Sequence, residues 1–196
     1  MTDEIHDSYD RPALLRLAGE LQGARVLDAG GGVGALSVEL LRRQAEVSLC
    51  DLDARACAEA DRILGAWVDV RCVDLTVLPW PYEDKAFDLV VMSLVLDLVG
   101  PLDCLSEVRR VLDPNGRCIV SLRHPGAYGS GDADSRDEVV ETATSATTRT
   151  WYARSFSIWL NAFSSAGLHV RQCQEPVPPD GGDPWIVVFE LVPRHA

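Results

Sequence analysis

A glycine-rich loop between an apolar run and a helical pattern constrains this chain more than any other segment. The loop reads Asp28-x-Gly30-x-Gly32-x-Gly34 and follows a short buried strand predicted over residues 25–28. Glycine lets the backbone adopt positive φ and approach a ligand closely, and the N-terminus of the helix that follows presents N–H groups to an anion. The segment therefore predicts a ligand-binding turn at the first strand–helix junction.

Two further acids are predicted to close neighbouring strands. Asp51 ends the second strand, and Asp74 ends the third. A carboxylate at the first of these positions can accept hydrogen bonds from both ribose hydroxyls of a nucleoside that lies across the strand ends. The loop and Asp51 together indicate a ligand that contains a nucleoside.

Strand-like and helical patterns alternate along most of the chain, which predicts an α/β fold. Strands are expected over 25–28, 46–51, 68–74, 87–93 and 117–122, with helices over 10–22, 54–64, 101–112 and 155–166 and a turn over 113–116. Two extended runs, 168–173 and 185–192, are separated by a Pro- and Gly-rich linker that favours a reversal. We expect a Rossmann-like, doubly wound, mostly parallel seven-stranded sheet that ends in an antiparallel C-terminal pair.

The length fits a single domain over residues 1–196. Within it, residues 1–24 are interpreted as an N-terminal helix or lid. Residues 126–150 are rich in Gly, Ser, Thr and Asp, and are interpreted as a mobile active-site loop.

Charge and hydropathy exclude several classes of partner. The net charge of −12 disfavours a nucleic-acid partner. No apolar run is long enough for a membrane span, and the acidic N-terminus is unlike a signal or transit peptide, so a cytoplasmic protein is expected. Cys50, Cys72 and Cys118 lie in apolar runs and are interpreted as small buried side chains, and no metal site is expected.

The loop is compatible with two cofactors. Gly30-x-Gly32-x-x-Ala35 matches a dinucleotide fingerprint, so an NAD-dependent oxidoreductase remains an alternative. The additional acids Asp28 and Asp74, the expected antiparallel pair and the lack of a separate catalytic domain argue against it.

At these positions the sequence resembles the class I S-adenosylmethionine-dependent methyltransferases, of the small-molecule type 11 kind. The resemblance rests on Val26–Gly34, Phe87–Asp97 and Arg110–Gly116. Two positions depart from the family pattern. Gly31 stands where a cysteine is common, and Arg117 stands where a second glycine is usual.

The resemblance implies a set of residues that bind S-adenosylmethionine, which would leave as S-adenosylhomocysteine. The loop would contribute Asp28, Gly30, Gly31, Gly32 and Gly34. Asp51 would bind the ribose with Leu52 beside the adenine, Asp74 would accept from the adenine amino group next to the Leu75 backbone, and the Ser93 carbonyl would face the methionine ammonium group. Tyr9 is predicted to close over the methionine end.

The acceptor is expected beyond the fifth strand, where a base or a binding group is needed. His124 directly follows that strand, Asp97 lies just beyond the fourth, and Tyr152 and Arg154 are candidates to line the pocket. We predict methyl transfer to an O or N atom of a small molecule, with Arg154 and Arg123 suited to an anionic one. The alternative within this fold is a protein that binds the cofactor for another reaction or senses it. A monomer or homodimer is expected.

Overall fold

A seven-stranded sheet forms the centre of the structure. The computed structural model describes residues 6–99, 102–128, 140–142, 145–149, 152, 154–177 and 181–194. The strands described are β1 (Arg25–Ala29), β2 (Glu46–Asp51), β3 (Val68–Cys72), β4 (Phe87–Ser93), β5 (Leu112–Arg123), β6 (Val140–Thr142), β7 (Ser145–Arg149), β8 (Leu168–Gln174) and β9 (Ile186–Pro193). The sheet has the order β3-β2-β1-β4-β5-β9-β8, and β6 pairs with β7 in a separate hairpin.

The strand directions confirm the predicted fold class. Strands β3, β2, β1, β4 and β5 pair in parallel. β9 runs antiparallel to both of its neighbours, β5 and β8. Parallel strands bring their carboxyl ends to one edge, and in open α/β sheets that edge is where ligands bind.

Helices cover both faces of the sheet, as a doubly wound fold requires. They are α1 (Arg11–Ala18), α2 (Ala35–Arg42), α3 (Ala54–Leu64), α4 (Cys104–Val111) and α5 (Phe156–Ser165). Apolar residues of α1, α2 and α3 form one buried cluster with the sheet, whereas α4 and α5 belong to a second. Adjacent strand residues such as Val90 and Val91 belong to different clusters, because successive side chains of a strand point to opposite faces.

Three helices begin or end at positions other than those predicted, although α5 (Phe156–Ser165, predicted over 155–166) differs by only one residue at each end. The N-terminal helix ends at Ala18 instead of continuing to residue 22, because Gly19 turns the chain with a φ of 62°. A π-helical turn, His6–Asp10, precedes it. The helix predicted over 101–112 is described from Cys104 to Val111, and residues 100 and 101 lie outside the described residues.

Arg117 holds α1 on the sheet. Its guanidinium donates to the backbone carbonyls of Leu17 (2.8 Å) and Ala18 at the helix end, and to the carboxylate of Glu190 (2.8 Å). Glu190 is only 3% exposed. Burial raises the pKa of Glu190, but hydrogen bonds from Arg171 and Arg117 outweigh it and lower that pKa overall. An arginine at 117 therefore joins a helix end to a buried acid, a contact that glycine would not provide.

The turn predicted over Asp113–Gly116 lies inside β5. The pairing with β4 shifts register there, so the segment is a bulge in a continuous strand. The Asn115 N–H donates to the Asp113 carboxylate at 2.9 Å, which is the local hydrogen bond of an Asx turn. The turn chemistry was predicted correctly, but the start of β5 was placed too late.

The interpretation of the cysteines was wrong at one position. Cys50 and Cys118 are buried, whereas Cys72 is exposed. β3 is an edge strand of the sheet, so part of its surface has no neighbouring strand to cover it.

The predicted mobile loop over 126–150 is described only in part. Pro125–Tyr128 forms a 3-10 turn, and β6 and β7 form the short hairpin. Positions 129–139, 143, 144 and 150 lie outside the described residues, and the mobility of the loop stays a prediction. Among the helices described, none has both the length and the apolar character needed to cross a membrane.

We expect Arg117→Ala to lower the free energy of unfolding by about 2–4 kcal/mol, because it removes one partner of a buried ion pair and the donors at the end of α1. Urea unfolding followed by circular dichroism measures the change. Arg62→Ala is the matched control, since Arg62 pairs with Glu59 on the exposed surface of α3, where such pairs contribute little. Equal losses in the two variants would contradict the structural role of Arg117.

Candidate active site

The predicted cofactor residues gather at the carboxyl edge of the sheet. In the parallel register Ala29 lies beside Cys50, Asp51 beside Cys72, and Ser93 beside Ser121. The segments that leave β1, β2, β3 and β4 therefore start from neighbouring points.

The glycine loop after β1 crosses the end of β2. The N–H groups of Gly30 and Gly31 both donate to the Cys50 carbonyl, at 2.8 and 3.1 Å. Gly34 then starts α2 in the left-handed region, with a φ of 86°. These contacts place the Gly32 N–H beside the Asp51 carboxylate.

Three loop glycines, Gly30, Gly31 and Gly34, leave no room for a side chain, whereas Gly32 faces open space. A Cβ at Gly30 would lie 2.4 Å from Val95, and one at Gly31 would lie 2.8 Å from the Asp28 carboxyl and from Leu49. The cysteine common in the resembling family at position 31 would therefore clash here. A Cβ at Gly32 meets nothing within 4 Å, so the loop is open to a ligand at that point.

Asp28 has a fully buried carboxyl group. Burial raises the pKa of Asp28 to about 6. The Ser37 hydroxyl, which donates to Oδ2 at 2.7 Å, lowers that pKa but does not offset the effect of burial. Its Oδ1 is also buried, and no described residue donates to it. Buried polar atoms in native proteins normally have a partner, so a ligand N–H or O–H would complete this site.

Asp51 has both carboxylate oxygens aligned by backbone N–H groups. Gly32 donates to Oδ2 and Asp53 donates to Oδ1, each at 2.9 Å. A carboxylate oxygen has two acceptor sites, so each oxygen keeps one for a ligand hydroxyl. The adjacent Leu52 exposes 66% of its surface, which leaves an apolar side chain next to the two oxygens.

Asp74 and Leu75 follow β3 in a fixed loop. One Asp74 oxygen, Oδ1, accepts from the Thr76 N–H (2.8 Å) and hydroxyl (2.7 Å), while no described residue donates to Oδ2. The Leu75 side chain is buried, and its carbonyl accepts from the Trp80 indole at 3.1 Å. Asp74 therefore retains a carboxylate oxygen for a ligand, whereas the contribution of Leu75 is limited to its backbone.

The N-terminal segment reaches the same edge. The Ser93 hydroxyl donates to the buried Asp10 carboxylate. The ring of Tyr9 packs edge-on against Trp185, with centroids 5.1 Å apart. The segment that carries Tyr9 therefore lies over the ends of β4 and β9, as a closing element would.

Three of the four predicted catalytic residues meet at the turn after β4, Leu96–Leu98. Asp97 is 3% exposed, and its Oδ2 accepts the Arg123 N–H at 2.8 Å. Its backbone carbonyl accepts the Tyr152 N–H, also at 2.8 Å. Burial raises the pKa of Asp97 to about 7, although Arg123 and Arg154 lower it.

Arg154 braces this turn. Its guanidinium donates to the carbonyls of Leu96 (3.1 Å) and Val99 (2.8 Å). It also lies over the rings of Tyr152 and Trp159, at 4.7 and 5.0 Å. Burial lowers the pKa of Arg154. These contacts favour a positioning role over the predicted contact with an anion.

His124 lies directly after β5, in a separate set of contacts. Its backbone N–H donates to the Trp185 carbonyl at 2.9 Å. Its Nε2 is 3.0 Å from Oε1 of Glu175, and its Nδ1 accepts the Gly126 N–H at 3.0 Å. Both ring nitrogens are therefore engaged in this conformation, so His124 would have to exchange a partner in order to act as a base.

The residues at the edge fit the cofactor that the sequence implies. The open space at Gly32, the two free acceptor sites on Asp51 and the orphaned oxygen of Asp28 match a ligand with a ribose diol and further donors. Within the described ranges, no group of three or more His, Cys, Asp or Glu side chains has the arrangement of a metal site.

Comparison with known proteins identifies the segment that forms this site. Residues 27–120 match the family model of the methyltransferase domain, type 11. Residues 27–120 of this chain are therefore similar in sequence to a methyltransferase domain. A crystal structure of an S-adenosylmethionine-dependent methyltransferase from Mesorhizobium loti superposes on it with a TM-score of 0.78 and 22% identity, over 95% of this chain and 99% of that one.

Two further proteins that are similar to this chain methylate at different kinds of atom, according to their names. A 1,6-didemethyltoxoflavin-N1-methyltransferase from Burkholderia thailandensis, solved with S-adenosylhomocysteine, has a TM-score of 0.72 and 20% identity, over 99% of this chain and 80% of that one. A ubiquinone/menaquinone biosynthesis C-methyltransferase from Azotobacter vinelandii is 34% identical over 113 residues, which are 54% of this chain and 45% of that protein. The chain matches about half the length of its curated relatives.

Three residues of the site were not predicted as functional. Asp10 contacts Ser93, Ser37 contacts Asp28, and Glu175 contacts His124. Each partner is distant in sequence or on another element, so residue spacing carries no sign of the contact.

We expect Asp97→Asn to change how the stability of the methyltransferase domain depends on pH. A carboxyl whose folded pKa is raised binds more protons when folded, so its contribution to stability falls as pH rises from about 4 to about 7. The wild type should therefore lose a few kcal/mol relative to Asp97→Asn between pH 5 and pH 8. Urea unfolding of both proteins at the two pH values measures it.

Asp61→Asn is the matched control, because Asp61 is exposed on α3. Its difference from the wild type should stay constant with pH. A constant difference for Asp97→Asn as well would rule out a raised pKa at Asp97.

Proposed function

We propose that this protein transfers a methyl group from S-adenosylmethionine to a small molecule with a planar, conjugated ring. The observation that carries the proposal is the arrangement of Asp51, whose two oxygens are held by Gly32 and Asp53 and keep free acceptor sites. This geometry suits a ribose diol. The match to the methyltransferase domain family supports the same cofactor.

Each part of the site has a proposed share in holding the cofactor. The loop Asp28–Gly34 would lie against its centre, Leu52 and Asp74 would bind the adenine, and Ser93 would face the amino-acid end. Tyr9 would close over that end, since it already packs against Trp185 at the edge. The cofactor supplies an electrophilic methyl group on a sulfonium, while the chain positions the acceptor and excludes water.

Aromatic side chains near the acceptor end support a planar acceptor. Tyr9 packs on Trp185 and His124 packs on Phe156, with centroids 5.1 and 5.3 Å apart. Trp185 is 38% exposed. Aromatic rings favour stacked or edge-on contact with other rings. The quinone and toxoflavin pathway names of the two relatives above point to ring compounds as well.

The acceptor atom is the open part of the proposal. An O or N atom was expected from sequence, and the similar proteins include both a C-methyltransferase and an N-methyltransferase. Arg154 was expected to bind an anionic acceptor, but its guanidinium contacts the turn after β4. We therefore propose a neutral ring compound that has an ionisable O–H, N–H or C–H as the acceptor.

Calorimetric titration tests the cofactor first. Wild-type protein is titrated in parallel with S-adenosylmethionine, S-adenosylhomocysteine and NAD, and is then incubated with methyl-labelled S-adenosylmethionine and a panel of hydroxylated naphthalenes and N-heterocycles. Binding of the first two ligands with label transfer supports the proposal. Binding without transfer would favour another reaction on the same cofactor, and binding of NAD alone would overturn the proposal.

Asp51→Ala should weaken S-adenosylmethionine binding by about 1.5–3 kcal/mol, the scale of hydrogen bonds to a charged group. This corresponds to roughly a 10- to 100-fold increase in Kd. Calorimetry measures the change, with circular dichroism to confirm the fold. Asp61→Ala is the control, because Asp61 is exposed on α3 away from this site, and this variant should bind the cofactor as the wild type does. Unchanged affinity in a folded Asp51→Ala protein would refute the ribose assignment.

A further inference from the structure

His124 and Glu175 form a hydrogen-bonded pair at the acceptor end of the sheet. His124 follows β5 and Glu175 follows β8, on either side of the start of β9. Ser121 lies level with Ser93 in the register of β4 and β5. Three residues of extended chain therefore carry His124 roughly 10 Å beyond Ser93 in the direction of the proposed acceptor.

The contacts of the imidazole determine which nitrogen carries the proton. The Gly126 N–H can only donate, so Nδ1, at 3.0 Å from it, is the acceptor nitrogen. A neutral imidazole has one donor and one acceptor, so the proton is on Nε2 and is donated to Glu175 at 3.0 Å. The Phe156 ring packs edge-on against the imidazole and limits its rotation.

A glycine at 126 keeps Nδ1 accessible. A Cβ at this position would lie 3.0 Å from Nδ1 and 3.1 Å from Cε1. Any side chain there would cover the nitrogen that holds the lone pair. Nδ1 is bound only by the backbone N–H of Gly126, an exposed residue in a short 3-10 turn. An incoming acceptor can displace this N–H and donate its own hydrogen bond to Nδ1.

We infer that Glu175 is a positioning residue that holds His124 with its proton on Nε2, so that Nδ1 accepts the proton of the methyl acceptor. This inference rests on the proposed function. The proton leaves the acceptor's O–H or N–H for Nδ1, and the acceptor's electron pair forms the new bond to the methyl carbon. The electron pair of the broken carbon–sulfur bond stays on sulfur. The resulting imidazolium keeps its Nε2–H bond to the Glu175 carboxylate.

The tautomer of His124 can be measured without knowledge of the acceptor. Histidine labelled with ¹⁵N in the ring gives separate resonances for protonated and unprotonated nitrogens, and the loss of signals in His124→Gln assigns them. In the full chain with S-adenosylhomocysteine, the wild type should show a protonated Nε2. Glu175→Gln should keep this pattern, because the amide oxygen can still accept. Glu175→Ala should give a mixture of tautomers.

Methyl transfer to an acceptor found in the panel tests the base role. We expect kcat to fall about 100-fold in His124→Gln and at least about 10-fold in Glu175→Ala, with partial recovery in Glu175→Gln and unchanged Kd for S-adenosylmethionine. Gly126→Ala should lower the rate while the tautomer stays that of the wild type. Above the pKa of the acceptor itself, the rates of His124→Gln and Glu175→Ala should approach that of the wild type, which loss of a merely structural contact would not produce.

Three outcomes would overturn the inference in different ways. An unchanged tautomer in Glu175→Ala removes the positioning role. Full transfer activity in His124→Gln and Glu175→Ala removes the base role and leaves the proposed function intact. A wild type that binds the cofactor and methylates nothing in the panel overturns both the base role and the proposed function. Retained cofactor binding in each variant separates these results from a failure to fold.

Discussion

The Cys50 carbonyl accepts two N–H groups from the loop after β1, and the geometry of the site depends on this contact. Gly30 and Gly31 approach it to 2.8 and 3.1 Å, so the loop must cross the end of β2. Only on that path does the Gly32 N–H come within 2.9 Å of Asp51. A side chain at position 30 or 31 would clash, and the crossing would be lost. The start of α2, the orientation of Asp51 and the open space at Gly32 all follow from one shared acceptor.

The buried carboxyl groups of Asp28 and Asp97 lower the stability of the folded chain when they are ionised. The pKa of Asp28 is raised to about 6 and that of Asp97 to about 7, in both cases mainly by burial. Each ionised carboxylate therefore destabilises the folded chain at neutral pH. A cation bound nearby would favour the charged forms and lower both pKa values. Residues that cost stability in the free protein are thus suited to a ligand that carries positive charge, as sites adapted to function often are.

The sequence predicted the fold class and several local elements better than it predicted contacts between distant segments. Strand β2 and helix α3 were predicted at their observed bounds, since apolar periodicity and local turn signals determine them. The end of α1 was missed, because the stop at Gly19 is completed by Arg117, 98 positions further along the chain from that glycine. The hydrogen bonds from Arg154 to backbone carbonyls on the turn after β4 were not predicted either. Contacts between distant segments leave no periodic pattern in a sequence, so motifs and periodicity do not predict them.

This difference has a structural origin that also bears on the acceptor. The proposed cofactor residues, apart from Tyr9, lie between Asp28 and Ser93, inside the matched segment 27–120. The proposed acceptor side combines Asp97 from this segment with residues from separate parts of the chain: His124, Tyr152, Arg154, Phe156, Glu175 and Trp185. All of these except Asp97 lie outside the matched segment. If the proposed cofactor site is right, proteins that share this segment share its scaffold, and differences in acceptor would arise mainly from residues outside the segment. Among the acceptor-side residues, His124 and Glu175 form a hydrogen-bonded pair whose contacts determine the position of the imidazole proton. The proposed acceptor is therefore expected to bind next to this pair.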